Sequence, residues 1–228
     1  MRKNCSIRGE TGSRSIAQQA IRGLYAITPD ERETVQLLSR ARLALQGGAR
    51  VLQYRNKQAS IDLKLEQAMA LRELAREFAV PMIINDDAVL ALEVDAEGVH
   101  LGDTDASVAA ARKLLGADKI IGVSCYNRIN LAHDAEEQGA DYVAFGAFFA
   151  STVKPSASHA TIALLDEARR AIRLPIVAIG GITAENGRQL LDAGADALAV
   201  ISALFAAEDV LRAARQFANL NLDRKHAT

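Results

Sequence analysis

The chain has 228 residues, of which 50% are hydrophobic and 24% are charged, and its formal net charge is −1. A charge so close to zero argues against a general nucleic-acid or membrane-surface binder, and the length suits one domain with one core. No apolar run reaches the roughly 18 residues that a membrane span needs. With two cysteines, Cys5 and Cys125, we expect no disulfide framework and a cytoplasmic location.

The two ends of the chain are polar. The N-terminal stretch is basic but lacks the apolar segment of a secretory signal, and the C-terminal residues are typical of a frayed tail. We therefore expect a flexible extension over residues 1–20, a folded domain over 21–220 and a tail over 221–228.

Between the ends, a strand–helix unit repeats along the chain. The segments 45–55, 136–146 and 191–202 each combine a helix end, a glycine and a short apolar strand. Eight apolar segments are predicted strands: 23–28, 50–55, 81–85, 98–101, 119–124, 141–146, 175–180 and 196–202. The stretches between them, such as 61–78 and 183–194 with Thr183 as N-cap, have helical periodicity.

This alternation predicts an α/β fold, a single (β/α)8 TIM barrel, with an open doubly wound sheet as the structural alternative. In α/β barrels the functional site lies at the C-terminal ends of the strands. Polar residues follow the predicted strands 2 to 8. We therefore expect a site rather than a merely solvated rim at this end of the barrel.

The second strand ends in two cations, Arg55 and Lys57, at alternate positions, so both can face the same side. Arginine binds phosphate oxygens bidentately and lysine adds a compact charge. Alone, the pair would more often be two solvated charges. Gln53 on the same strand favours the phosphate-binding interpretation, because a buried amide needs polar partners.

Hard oxygen ligands follow the next two strands. Asn85, Asp86 and Asp105 would suit Mg²⁺, which takes a few carboxylates together with waters and substrate phosphate oxygens. The alternative is that the carboxylates cap the following helices, and Asp105 is a good N-cap candidate. Asp87 and Asp103 are the members of this group for which a functional role is least expected.

The last strands end in small and hydroxyl-bearing residues. Gly180 and Gly181 precede a helix and allow backbone N–H groups to approach an anion, and Ser202 offers another donor. The loop after strand 6 adds Ser151, Thr152 and Lys154. These loops predict a second phosphate site. The histidines, including His100, and the thiol of Cys125 are interpreted as structural or solvated.

The motifs GLYAITPD, QYRNK, IINDD, GVHLGDTD, IGVSCYN, FGAFFASTVKP, AIGGIT and AVISA occur in this order. Together they resemble the thiamine-phosphate synthases over about residues 22–210. The resemblance implies a Mg²⁺-dependent transferase that joins a pyrimidine diphosphate to a thiazole phosphate, both small molecules, and releases diphosphate. In line with the net charge we expect no nucleic-acid or membrane partner, and the oligomeric state is left open, with a homo-oligomer as one alternative.

The resemblance also implies roles for individual residues. Those of the pyrimidine diphosphate site are Gln53, Tyr54, Arg55, Asn56, Lys57, Asn85 and Ser124, with Asp86 and Asp105 as Mg²⁺ ligands. Those of the thiazole phosphate site are Ser151, Thr152, Val153, Lys154, Gly181, Ile201 and Ser202. Arg55, Lys57, Lys154 and Ser124 are implied to be catalytic, the cations by stabilising charge on the leaving diphosphate.

Two residues depart from the family pattern: Val153 stands where a threonine is usual, and Asp103 where a glutamine is usual. Three rival functions are weighed beside the synthase: a thiazole tautomerase, a non-catalytic sensor of thiamine precursors, and a phosphate-binding barrel of another pathway. The set Arg55, Lys57, Asp86 and Asp105 speaks against the first two, because neither an isomerisation nor a sensor needs both the cations and the metal carboxylates.

Overall fold

The computed structural model describes residues 20–150 and 160–222, with side chains through residue 220. Eight parallel strands close into a barrel in chain order, which confirms the predicted (β/α)8 fold over the open sheet. The strands are β1 (Gly23–Ile27), β2 (Ala49–Tyr54), β3 (Met82–Asn85), β4 (Gly98–Leu101), β5 (Ile120–Tyr126), β6 (Tyr142–Phe145), β7 (Ile176–Ile179) and β8 (Ala197–Val200).

Helices follow the strands around the outside of the barrel. They are α1 (Thr34–Gln46), α2 (Ile61–Glu77), α3 (Ala88–Glu93), α4 (Val108–Leu115), α5 (Ile129–Glu137), α6 (Ile162–Ala171), α7 (Ala184–Asp192), α8 (Ser202–Phe205) and α9 (Val210–Leu222). Within the described ranges, no helix is both long and apolar enough to cross a membrane. Residues 1–19 of the predicted extension and residues 223–228 of the predicted tail lie outside the described residues.

All eight predicted strands are present, with ends displaced by at most two residues. The pairs Gly23↔Ala197 and Ala26↔Val200 join β1 to β8 and close the barrel. One prediction about a strand end is wrong: β8 stops at Val200, so Ser202 is not on the strand but begins the short helix α8.

Hydroxyl and carboxylate side chains cap several helices, as polar side chains at N-caps should. Thr183 caps α7 as predicted, in a reciprocal capping box with Asn186. Asp87 caps α3 by accepting from the Leu90 N–H. The cap of α4 is Ser107 and not Asp105, so the capping alternative for Asp105 is wrong.

The buried side chains form two layers. One packs between the strands and the helices, and the other fills the barrel interior with side chains such as Ile27, Val51, Ile83 and Ile120. Gly122 faces this interior, and a Cβ there would overlap the ring of Tyr142. The absence of a side chain at Gly122 therefore makes room for a tyrosine inside the barrel.

An arginine–carboxylate clamp occurs three times near the N-terminal ends of the strands. In each, an acid directly before an even-numbered strand accepts from an N–H of the preceding strand and pairs with an arginine of an outer helix. Glu97 accepts from Met82 N at 2.8 Å and pairs with Arg72 at 2.6 Å. Asp141 and Asp196 bind Ile121 N and Ile176 N, both at 2.9 Å, and pair with Arg112 and Arg169.

We predict that Asp196→Ala lowers the free energy of unfolding by about 2–4 kcal/mol, because it leaves a strand N–H and a partly buried guanidinium without their carboxylate. The matched control is Glu77→Ala, which breaks the exposed pair with Arg42 and should lower the free energy of unfolding far less, because surface ion pairs contribute little. Urea unfolding monitored by circular dichroism measures both. Equal losses in the two variants would contradict the clamp's structural role.

Candidate active site

A cavity of about 740 Å³ opens at the C-terminal ends of the strands. It receives side chains from every strand and from the loops that follow them, as expected for the functional end of an α/β barrel. Of the residues predicted from sequence, the cavity is lined by Gln53, Arg55, Lys57, Asn85, Asp86, Asp105, Ser124, Gly181, Ile201 and Ser202.

The predicted site residues at the end of β2 and directly after it point to two different sides of the sheet. Successive side chains of a strand point in opposite directions, so Gln53, Arg55 and Lys57 face the cavity. Tyr54 and Asn56 point outward instead and both bind the buried side chain of Gln67, at 2.9 and 3.0 Å. The structure therefore does not bring Tyr54 and Asn56 to the central cavity, and their geometry gives them a supporting role.

Tyr54 and Asn56 line a separate, smaller cavity of about 490 Å³ on the outer side of the strands. It lies beside α3, a helix of only six residues. Lys57, Asn85 and Asp86 border both cavities. The outer cavity is therefore an extension of the same rim.

The floor of the central cavity is a chain of hydrogen bonds between neutral side chains. Gln53 Nε2 donates to Tyr25 Oη at 2.9 Å, and the hydroxyls of Tyr25 and Tyr142 are 2.7 Å apart. His100 Nδ1 lies 2.9 Å from Tyr142 Oη, and its Nε2 lies 2.9 Å from Ser124 Oγ. Five strands are thereby joined across the barrel interior.

Donor and acceptor roles run in one direction along this chain. Gln53 donates to Tyr25, and each hydroxyl then has an acceptor within the hydrogen-bond chain only if Tyr25 donates to Tyr142 and Tyr142 donates to His100 Nδ1. We infer this direction. A neutral imidazole that accepts at Nδ1 carries its proton on Nε2 and donates to Ser124. The floor thus offers a ligand an acceptor, the Gln53 carbonyl, and a donor, the Ser124 hydroxyl.

Burial keeps the members of this chain uncharged. It raises the pKa of the Tyr25 and Tyr142 hydroxyls well above their ordinary value. Burial lowers the pKa of His100 to about 4, although the nearby Asp86 carboxylate opposes the change. At neutral pH, His100 is therefore a neutral imidazole, and the floor is polar without being charged.

Charge is concentrated above the floor on the side of β2 to β4. Lys57 Nζ lies 3.1 Å from Asp86 Oδ2, and Asp105 Oδ2 accepts from the Gly102 N–H at 2.6 Å. Burial raises the pKa of Asp105, and the adjacent Asp86 carboxylate raises it further, against the lowering effects of Gly102 N–H and Lys57. Two carboxylates in contact beside a cation are a set of hard oxygen donors.

Asp86 adopts a left-handed backbone conformation, with φ of 67°. Residues other than glycine rarely adopt this conformation, and those that do are concentrated at functional sites. Its N–H donates to His100 O at 2.8 Å, which fixes the turn against β4. The turn directs Asp86 toward Asp105 while the next residue, Asp87, caps a helix.

The opposite wall, after β7 and β8, carries no charged side chain among the described lining residues. Gly181 has φ of 62°, and a Cβ there would collide with the main chain of Phe149 and Ala150. Asn186 holds the turn by donating to Gly181 O at 3.1 Å. The predicted contacts Ser151, Thr152, Val153 and Lys154 lie outside the described residues, so their roles stay predictions.

Sequence reasoning missed three residues of the floor: Tyr25, His100 and Tyr142. From the sequence, His100 is interpreted as structural or solvated, and the two tyrosines are assigned to strands without any role in the site. The sequence did contain an indication of their role. Each is a polar residue at an inward-facing position of a short apolar strand, where a buried polar side chain needs a partner.

We predict that His100 is held as the Nε2–H tautomer, and that Tyr142→Phe abolishes this preference because it removes the donor to Nδ1. Imidazole ¹⁵N chemical shifts measure the tautomer, with exposed His133 as an internal control. The same variant should lower the free energy of unfolding by about 1–3 kcal/mol, since Tyr25 loses its acceptor. A wild-type His100 in the Nδ1–H form would contradict the assigned direction of the chain.

Comparisons with known proteins agree on one family. A family model described as thiamine monophosphate synthase matches residues 24–204. The thiamine-phosphate synthase of Methylobacillus flagellatus is 56% identical over 200 residues, which cover 88% of this chain and 95% of that protein. That of Nitrosomonas eutropha is 52% identical over 200 residues, covering 88% and 94%.

A solved structure adds support at the level of the fold and of sequence. The thiamine phosphate pyrophosphorylase of Pyrococcus furiosus superposes with a TM-score of 0.81 at 34% identity, over 90% of this chain and 98% of that one. These findings confirm the resemblance and the enzyme class that the motifs predicted. The chain belongs to the thiamine-phosphate synthase family of transferases.

Proposed function

We propose that the chain condenses hydroxymethylpyrimidine diphosphate with thiazole phosphate to give thiamine phosphate and diphosphate, as a step of thiamine biosynthesis. One observation carries the assignment to this cavity. A neutral, hydrogen-bonding floor lies below a rim that concentrates Arg55, Lys57, Asp86 and Asp105 on one side. This layout suits an uncharged aromatic ring that bears a highly charged leaving group.

The pyrimidine ring is proposed to lie on the floor of the cavity. An aminopyrimidine has both N–H donors and ring-nitrogen acceptors, which complement the Gln53 carbonyl and the Ser124 hydroxyl. The diphosphate would then reach the rim, where Arg55, Lys57 and Asn85 can bind its oxygens. Arginine and lysine there stabilise negative charge as it develops on the departing diphosphate.

Mg²⁺ is the proposed cofactor, held by Asp86 and Asp105. No group of three or more His, Cys, Asp or Glu side chains suited to a metal occurs in the described part of the chain. Two carboxylates nevertheless fit Mg²⁺, which commonly binds one or two carboxylates and completes its shell with substrate phosphates and waters. The contact between Asp86 and Asp105, which raises the pKa of Asp105, is further support. When bound, the ion would neutralise diphosphate charge.

The proposed reaction is a displacement at the pyrimidine methylene carbon. A carbon–nitrogen bond forms to the thiazole nitrogen, and the carbon–oxygen bond to diphosphate breaks, with its electron pair leaving on the diphosphate. The enzyme needs no proton transfer for this exchange. The floor and walls instead align the two rings and exclude water, while the cations of the rim stabilise the leaving group.

The thiazole phosphate is proposed to bind the wall after β7 and β8, at Gly181, Ile201 and Ser202. One strand separates β8 from β2 and two separate β7 from β2 in the closed barrel, so each anion is proposed to have its own part of the rim. Lys154 and its neighbours Ser151, Thr152 and Val153 are proposed to complete this site. A cytoplasmic location, with the small-molecule substrates as partners and neither nucleic acid nor membrane, belongs to the same proposal.

The decisive experiment is to mix both thiamine precursors with the purified chain and Mg²⁺ and to measure thiamine phosphate and diphosphate. We expect equal amounts of the two products. Asp86→Ala should reduce kcat/KM by about 100-fold or more, as expected for loss of charge stabilisation in the transition state, and chelation of Mg²⁺ should do the same. Full turnover of Asp86→Ala without divalent metal would reject the metal assignment, and no product from the wild type would reject the function.

We also predict that Arg55→Ala weakens binding of the pyrimidine diphosphate by about tenfold or more, because a hydrogen-bonded cation is lost. Binding of thiazole phosphate should change less than about twofold, since the residues proposed to bind it follow other strands, β7 and β8. Titration calorimetry with each ligand separately decides the matter. Equal losses for both ligands would mean that the two anion sites are assigned to the wrong walls.

A further inference from the structure

The loop after β1 forms hydrogen bonds with Arg55 and Lys57, the two residues after β2 that are proposed to bind diphosphate. Thr28, which is completely buried, accepts from Arg55 N at 2.8 Å and donates to Arg55 O at 3.0 Å. Asp30 Oδ1 accepts from Lys57 N at 2.7 Å and from Arg55 NH1 at 3.2 Å. One carboxylate oxygen therefore contacts both the Arg55 guanidinium and the backbone of Lys57.

Asp30 contacts these two residues from a position that does not line the central cavity. Arg55 and Lys57 line the central cavity, and Asp30 is not among the described residues that do so. Its contact with Arg55 involves a single terminal nitrogen. A guanidinium has five N–H donors, so the remaining donors stay available to an anion in the cavity.

We propose that Asp30 is a positioning residue of the diphosphate site, which acts by holding the Arg55 side chain and the Lys57 backbone in their ligand-binding orientation. The proposal rests on the proposed role of Arg55 and Lys57. A flexible arginine that is ordered before its ligand arrives loses less conformational freedom on binding. The geometry predicts that this gain outweighs the repulsion between Asp30 and the diphosphate, because Asp30 lies outside the cavity.

Two substitutions separate the contacts of Asp30. Asp30→Asn keeps a carbonyl oxygen that can accept from Lys57 N, but removes the charge that attracts Arg55. Asp30→Ala removes both contacts. The matched control is Glu31→Gln, which changes the net charge equally one residue away. The Glu31 carboxylate accepts from the Arg32 and Glu33 N–H groups, at 2.7 and 3.0 Å, and holds neither cation.

Steady-state kinetics with Mg²⁺ should show a loss confined to one substrate. Asp30→Asn is expected to raise the KM for the pyrimidine diphosphate about fivefold, the size of a partly exposed ion pair. The KM for thiazole phosphate should stay within about twofold. Asp30→Ala should lower kcat/KM for the pyrimidine diphosphate further, by about tenfold or more. Glu31→Gln should match the wild type, and thermal unfolding of each variant checks that it is folded.

The same change in an Arg55→Ala background tests whether Asp30 acts through Arg55. We expect Asp30→Asn to have no further effect on the KM for the pyrimidine diphosphate there. An unchanged or lowered KM in the single variant, or an undiminished effect in the Arg55→Ala background, would overturn the proposal. If Arg55→Ala alone leaves this KM unchanged, the proposed role of Arg55 fails instead, so the two failures are distinguishable.

Discussion

The interior of a closed eight-stranded barrel must be filled by the side chains that alternate inward from its strands, and this constraint organises the molecule. Toward the N-terminal ends, Val51, Ile83 and Ile120 fill it with apolar atoms. At mid-height, polar side chains replace them, and each must find a partner because water is excluded. The chain from Gln53 to Ser124 is that solution. Only the last inward positions, such as Arg55, can carry charge, because there the barrel opens to solvent.

The uncharged state of the floor has a consequence for the chemistry above it. Tyr25, His100 and Tyr142 are protonated or neutral because burial disfavours their charged forms. A charged floor would attract or repel the diphosphate and draw it away from the rim. A neutral floor leaves the electrostatic field of the cavity to the charged side chains of the rim, whose contribution is strongest where water is displaced. In the proposed function, ring recognition and charge stabilisation therefore take place at different heights of one cavity.

The sequence predicted the barrel from local periodicity, and it predicted ten of the lining residues from their places at strand ends and from the family motifs. Eight apolar segments followed by polar residues sufficed for the strands, and alternation placed Arg55 and Lys57 together. The same alternation directs Tyr54 and Asn56 outward. They were nevertheless predicted as site residues because the family motif contains the whole segment. Contacts between distant segments could not be predicted: Asp30 on Arg55 and Tyr142 on His100 both depend on how neighbouring units pack.

Oppositely charged pairs have different roles at the two faces of the barrel. In the N-terminal clamps, one Asp196 oxygen both accepts from a strand N–H and pairs with Arg169, so the carboxylate is bound into the fold. At the C-terminal face, Arg55 gives Asp30 one nitrogen, and Lys57 meets Asp86 through its mobile ammonium. The Lys57–Asp86 pair can be rearranged by an incoming anion, whereas the Arg55–Asp30 pair leaves other guanidinium donors available to it. Among the ion pairs, the clamps therefore contribute more to stability than the pairs of the rim, whose charges remain available to ligands.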